Sequence, residues 1–273
     1  MAPTPAAQRA AEVALLQAAA QGEAHLHISA LRGELLSLGA FHREPRGPGQ
    51  PPLWRRPCGG RAVAAGTRFR VLTLALPHRS ALVSPERSSL RPEQALNRCV
   101  RGLLAALERI GAQPIYPGLD QLTVGRRTVA QLGLAEHAGG AALFQAVLAW
   151  SESFARTPER LDRADPEGRV PMALVAADSF ARVVDVAPDA ERRAASVAAF
   201  AELAADGYRA AFEVEIVRDE PPRASGAAEG EAAGPVVGVE PAPGAGSATI
   251  AGRIGPITAW LVKEEGRIAR AGI

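Results

Sequence analysis

Arg55-Arg-Pro-Cys-Gly-Gly-Arg-Ala-Val-Ala-Ala-Gly66 and, after four residues, Val71-Leu-Thr-Leu-Ala-Leu76 are the stretches from which the rest of the chain is read. The second is apolar enough for a central strand. Paired glycines just before a buried strand let backbone N–H groups approach an anion closely. Arg55, Arg56 and Arg61 add fixed positive charge and bidentate hydrogen bonds. Taken alone, the stretch reads either as an anion-binding loop or as a basic surface turn.

Outward from this stretch, residues 6–22 read as a helix with Ala10, Val13, Ala14 and Ala18 on one buried face and Gly22 as its stop. Short apolar pieces in 24–39 suggest strands, and 45–52 is a Pro/Gly-rich loop. A clear amphipathic helix covers about 92–110, with Leu96, Cys99, Val100, Leu103, Leu107 and Ile110 as its stripe and Gly111 as its cap. Residues 121–124 and 127–134 form a hairpin around Gly125-Arg126, 141–150 another buried strand, and 188–206 a further helix. From 221 to 246 the chain is Pro, Gly, Ala and Glu with almost nothing bulky, hence a flexible linker. Strand pattern returns over 247–273.

The 273 residues suit one main domain with a small appendage, and 47% hydrophobic with 22% charged residues excludes a fibre or wholesale disorder. No apolar run is long enough to span a bilayer, and the first residues show no signal peptide. A net charge of +2 gives no pull toward nucleic acid or membrane. Two cysteines, Cys58 and Cys99, make no disulfide framework, so a reducing cytoplasm is expected. Of 31 basic residues one alone, Lys263, is lysine. The body of the chain therefore has no ε-amine for nucleophilic or phosphate chemistry. The five histidines show no ligand spacing, so no structural metal is expected; His25 and His27 share a strand face as a polar edge.

Residues 55–63 resemble the R-R-x-S-G-G-G-A-V motif of lipoate–protein ligases and octanoyltransferases. Arg55, Arg56, Gly59, Gly60, Ala62 and Val63 match, with Cys58 at the serine and Arg61 at the third glycine. In the same order along the chain, 11–22 is similar to the family's opening helix and Ser37-Leu-Gly39 to its S-L-G turn. Residues 96–111 are similar to its central helix, 122–133 to its D-L-x-V-x-G-R-K-I-A-G-x-A hairpin, and 257–268 to the start of its accessory domain.

The resemblance implies an α/β (α+β) fold with a mixed, mostly antiparallel sheet and packed helices, like the biotin/lipoate ligase catalytic domain. That domain is expected over 1–220, followed by the linker at 221–246 and a partial accessory domain at 247–273. It also implies binding of an octanoyl- or lipoyl-type acyl group, activation with ATP and magnesium, and transfer to a lysine of a lipoyl-domain or H-protein-like acceptor. In the family a hairpin lysine sits between two repelling anions, the acyl carboxylate and the α-phosphate. Here Thr128, or Arg127 after a shift of one, stands at that place. The substrate- and nucleotide-binding set is Arg55, Arg56, Cys58, Gly59, Gly60, Arg61, Ala62, Val63 and Asp120. Asp120 is read either as a magnesium or ligand contact or as a turn residue before a strand. The missing lysine opens an alternative: a catalytically inactive relative acting as an acyl-binding or scaffold protein. Cys58, among arginines that lower a thiol's pKa, reads as an acyl-accepting thiolate or as a small residue in a tight loop.

Overall fold

The computed structural model describes residues 2–42, 51–83, 90–118, 120–137, 139–164, 179–212, 217–218, 246–252, 255–264 and 267–272. In chain order the elements begin with α1 (Pro5–Ala19), β1 (His25–Ser29), β2 (Glu34–Leu38), β3 (Leu53–Arg55), β4 (Val63–Gly66), β5 (Arg70–Leu76) and α2 (Pro92–Glu108). The middle of the chain gives β6 (Pro114–Ile115), β7 (Gln121–Val124), β8 (Arg127–Glu136), β9 (Ala142–Leu148) and α3 (Thr157–Ala164). Next come α4 (Val183–Val186), α5 (Ala190–Arg193), α6 (Val197–Ala211) and β10 (Val217–Arg218). The last three are β11 (Gly246–Gly252), β12 (Gly255–Glu264) and β13 (Arg267–Gly272).

β5 and β9 are buried along their whole length, which requires cover on both sheet faces. They lie inside a seven-stranded sheet of order β10-β1-β5-β9-β8-β7-β6, antiparallel except where β10 joins β1. Strand side chains alternate between faces. On one face Leu72, Leu74, Leu76, Phe144, Ala146 and Leu148 meet Val100, Leu103 and Leu107 of α2 and Phe200, Ala204 and Tyr208 of α6. The two helices come close because glycine stands on each at the crossing: a Cβ on Gly207 would lie 2.4 Å from the Gly102 carbonyl oxygen. The Tyr208 hydroxyl donates to the Cys99 carbonyl at 2.7 Å, and Cys99 is core packing as expected.

The opposite face takes α1 and a second sheet of order β3-β2-β4. Three rows cross this face in register. They are Ser29–Val71–Val147–Gln131, then His27–Thr73–Gln145–Gly133, then His25–Ala75–Leu143–Ala135. Val71 and Val147 pack under Trp54, Val63, Ala64, Phe69 and Phe154. Ala75 and Leu143 pack under Leu15, Ala19 and Cys58. The middle row is polar, and α1 answers it with polar side chains.

Three expectations need correction. The buried face of α1 is Gln8, Glu12, Leu15 and Ala19, not the alanine-rich stripe. The polar strip beneath selects it: Ser29 Oγ donates to Gln8 Oε1 at 2.8 Å, and Gln145 Nε2 to Glu12 Oε1 at 2.7 Å. The helix expected over 188–206 is two, α5 and α6, because the Ser196 hydroxyl accepts from Ala199 N at 3.0 Å and starts a new helix. His25 is buried rather than an exposed edge, since β10 pairs outside β1.

α3 fastens the small sheet to the rest. Thr157 Oγ1 accepts from Ala64 N at 3.0 Å. Arg160, itself 2% exposed, donates to the Leu35 and Ala65 carbonyls and pairs with Glu152 at 2.5 Å. Strands β11, β12 and β13 form an antiparallel three-stranded sheet. The expected linker over 221–246 lies outside the described residues apart from 246. Among the described residues no helix is long and apolar enough to cross a membrane.

Candidate functional site

The diglycine turn leaves β3 and runs under β8. Arg56 N donates to the Leu38 carbonyl and Ala40 N to the Cys58 carbonyl, both at 2.9 Å, so the turn is stitched to the end of β2. Gly60 has φ +98, and a Cβ there would lie 3.0 Å from the Leu132 carbonyl oxygen and 3.4 Å from Arg56 Nη2. Only glycine fits both the backbone and the space. The loop thus lies against β8.

Arg56 is 2% exposed. Its Nη2 donates to the Arg61 carbonyl at 2.6 Å, while Nε is buried with no partner. Burial pulls its pKa down to about 10, opposed by the nearby carboxylates of Asp120 and Glu12, so it remains a cation at neutral pH. A buried guanidinium N–H without an acceptor calls for an anion. Arg61 Nε lies 3.4 Å from Asp120 Oδ2, an oxygen otherwise unbonded. Gln131 Nε2 donates to the Asp120 carbonyl and would be 3.7 Å from a Cβ on Gly60.

The hairpin residue beside the diglycine turn is therefore Gln131. Thr128 lies on the buried side, its hydroxyl donating to Gln121 Oε1 at 3.2 Å. Arg127 is exposed and opens the strand opposite Val124. A register shift between Leu122 and Thr123 sets this arrangement, pairing Gln121 with Gln131 but Thr123 with Thr128. The tight turn itself is as expected, with Gly125 at φ 54 and Arg126 at φ 66.

Arg55 points away from the cluster, its Nη1 donating to the Gly39, Ala40 and His42 carbonyls. His42 Nδ1 accepts from Gly39 N at 2.9 Å. Burial, then Arg56 and Arg55, push the His42 pKa down to about 4, which keeps the ring neutral and its nitrogen an acceptor. Ala62 and Val63 are buried packing residues leading into and opening β4.

The thiolate reading of Cys58 is corrected by its surroundings. The thiol is fully buried and donates to the Leu143 carbonyl at 3.2 Å. Burial drives its pKa far up and outweighs the opposing pull of Arg56. Cys58 is a small residue packed where a Cβ on Gly133 would come within 2.7 Å of it.

Glu12 is a buried titratable group that the sequence reading passed over. It is 1% exposed, and burial raises its pKa to about 7 against hydrogen bonds from Gln145 and Gln8. Among the described residues no group of three or more His, Cys, Asp or Glu side chains converges as metal ligands. Asp120 lies beside Arg61 and within the field of Arg56, which does not fit a magnesium ion held by the protein alone.

The sequence matches no protein-family model and no curated protein. Solved structures are similar in fold. Lipoate–protein ligase A bound with ATP superposes with TM-score 0.53 at 13% identity, over 77% of this chain and 81% of that one. The lipoic-acid-bound putative lipoate protein ligase of T. acidophilum gives 0.52 at 12% identity, over 77% and 83%. LipL1 of P. falciparum in complex with lipoate gives 0.53 at 9% identity, over 92% and 71%. The chain has the lipoate–protein ligase fold, the fold to which its sequence motifs point.

Proposed function

We propose that the protein is lipoate–protein-ligase-like and binds a carboxylic acid of octanoyl or lipoyl type, or its adenylate, with the anionic end at Arg56 beneath Gly59 and Gly60. The single observation behind this reading is the charged, buried Arg56 with an unpartnered Nε beside a turn that only glycine can form. Arg61 and Gln131 border the same place. The similarity to a lipoic-acid-bound relative points the same way.

Between the two classes of activity, a noncatalytic acyl-binding protein is favoured. ATP-dependent activation needs a cation between two anions, and Thr128 is neutral while Arg127 lies exposed. In the active alternative ATP and magnesium would serve activation, and a lysine on a lipoyl-domain or H-protein-like partner would take the acyl group. A lipoyl domain figures with a ligase of this fold in T. acidophilum. Two buried free cysteines suit a reducing compartment such as the cytoplasm. Residues 1–220 would form the binding domain, 221–246 a linker and 247–273 a partial accessory domain.

The test is to incubate the protein with octanoate or lipoate and labelled ATP. No acyl-AMP is expected, while the melting temperature rises with ligand. At 100 times its Kd a ligand adds roughly 2.7 kcal/mol, a shift of several degrees. Acyl-AMP formation would instead establish the active alternative, and neither signal would remove both.

A further inference from the structure

The cluster at the diglycine turn holds two cations, Arg56 and Arg61, and one carboxylate, Asp120. Arg56 lies inside, 2% exposed. Arg61 and Asp120 form the solvent side, with 26% and 23% of their side chains exposed and Arg61 Nε 3.4 Å from Asp120 Oδ2. The Asp120 backbone is held independently of its side chain, because Leu132 N donates to its carbonyl at 2.7 Å and Gln131 Nε2 donates to the same oxygen. The Asp120 carboxylate also acts on Arg56, more strongly than Glu12 does. One fixed negative charge thus faces both guanidinium groups before any ligand arrives.

Two cations against one carboxylate leave a single positive charge to be matched. Arg61 has its counterion in Asp120. Arg56 gives Nη2 to the Arg61 carbonyl, and its Nε meets no acceptor among the described residues. An incoming carboxylate restores the balance, and so does an acyl-adenylate, whose phosphate also carries one charge. A phosphate monoester brings close to two charges near neutral pH and has to take Arg61 away from Asp120. Resting on the carboxylate-binding reading above, we propose that Asp120 selects singly charged head groups, acting as a fixed anion that keeps dianions out of the cluster. Arg56 takes the head group, while the Arg61–Asp120 pair sets how much charge it can carry.

The test is calorimetric titration with octanoate and with octyl phosphate at pH 8, on wild type and on Asp120→Asn, which keeps the size of the side chain and its backbone contacts. In wild type, octyl phosphate is expected to bind no tighter than octanoate despite its second charge. In the variant, octanoate should gain about threefold and octyl phosphate about tenfold, since the effect of removing a neighbouring anion scales with ligand charge. Glu12 is the same in both proteins. Adding Arg61→Gln to the variant restores the charge balance and should return octyl phosphate to within about threefold of its wild-type affinity. The wild-type comparison alone decides the matter if the variant folds poorly. Octyl phosphate already tighter in wild type, equal gains for both ligands, or weaker octanoate binding in the variant would overturn the inference and leave the carboxylate site standing. Binding of neither ligand to either protein would remove both.

Discussion

At pH 8 the Glu12→Gln variant is expected to be more stable than wild type by about 3 kcal/mol, because Glu12's pKa rises from 4.5 to about 7 on folding. The sign follows from proton counting. A carboxyl with a raised folded-state pKa holds its proton in the native state while the unfolded chain has released it. Wild-type stability on this account falls as pH climbs from 4.5 through 7 and levels off above. Near pH 5 the variant's advantage shrinks to less than about 1 kcal/mol. The glutamine keeps a carbonyl oxygen for the amide donors of Gln8 and Gln145. The pull of Arg9 on the Glu12 carboxylate is already contained in that pKa and opposes burial without outweighing it. Urea unfolding of both proteins from pH 5 to pH 8 gives the curve; parallel profiles would refute the assignment.

The second large effect is expected at Arg160, whose Ala variant should lose about 3–5 kcal/mol, the usual cost of breaking a buried ion pair by removing one partner. Arg160 is 2% exposed and faces Glu152, itself 9% exposed, at 2.5 Å. Its removal strands that carboxylate as well as the Leu35 and Ala65 carbonyls. Glu34 also pairs with Arg160, at 3.6 Å, but its side chain is 63% exposed. Glu34→Ala should therefore cost no more than about 1 kcal/mol. Replacing both Arg160 and Glu152 by apolar residues, as Arg160→Met with Glu152→Leu, should restore much of the loss, since no charge is then left unpaired. Because Arg160 joins α3 to β2 and β4, and β2 holds the diglycine turn, acyl-ligand binding should weaken along with stability. Denaturant midpoints at constant m-value measure this, and equal costs for Arg160→Ala and Glu34→Ala would contradict it.

What the sequence made legible was what local chemistry decides. The hairpin at Gly125-Arg126 and the amphipathic α2 are each specified within a few residues by turn residues or by apolar spacing. The diglycine turn was visible for the same reason, and it lies beside β8. Which hairpin side chain meets that turn was not, because one irregularity between Leu122 and Thr123 puts Gln131 there.

Cys58 shows a competition that spacing alone does not settle. Neighbouring arginines argue for a low pKa, but Arg55 spends its donors on carbonyls and burial dominates. The polar strip under α1 left a trace that was passed over. Thr73 and Gln145 interrupt the otherwise apolar interiors of β5 and β9, and Gln8, Glu12, Leu15 and Ala19 share one helical face. The trace has meaning only once Glu12 and Gln145, 133 positions apart, are brought together.

The most direct measurement is a titration of 15N-labelled protein with octanoate and with lipoate, following the backbone amides of Gly59 and Gly60 and the side-chain amide of Gln131. Saturable shifts at these three positions are expected with at least one of the acids. Shifts confined to other parts of the fold, or none with either acid, would mean that the diglycine turn and Arg56 do not receive a carboxylate.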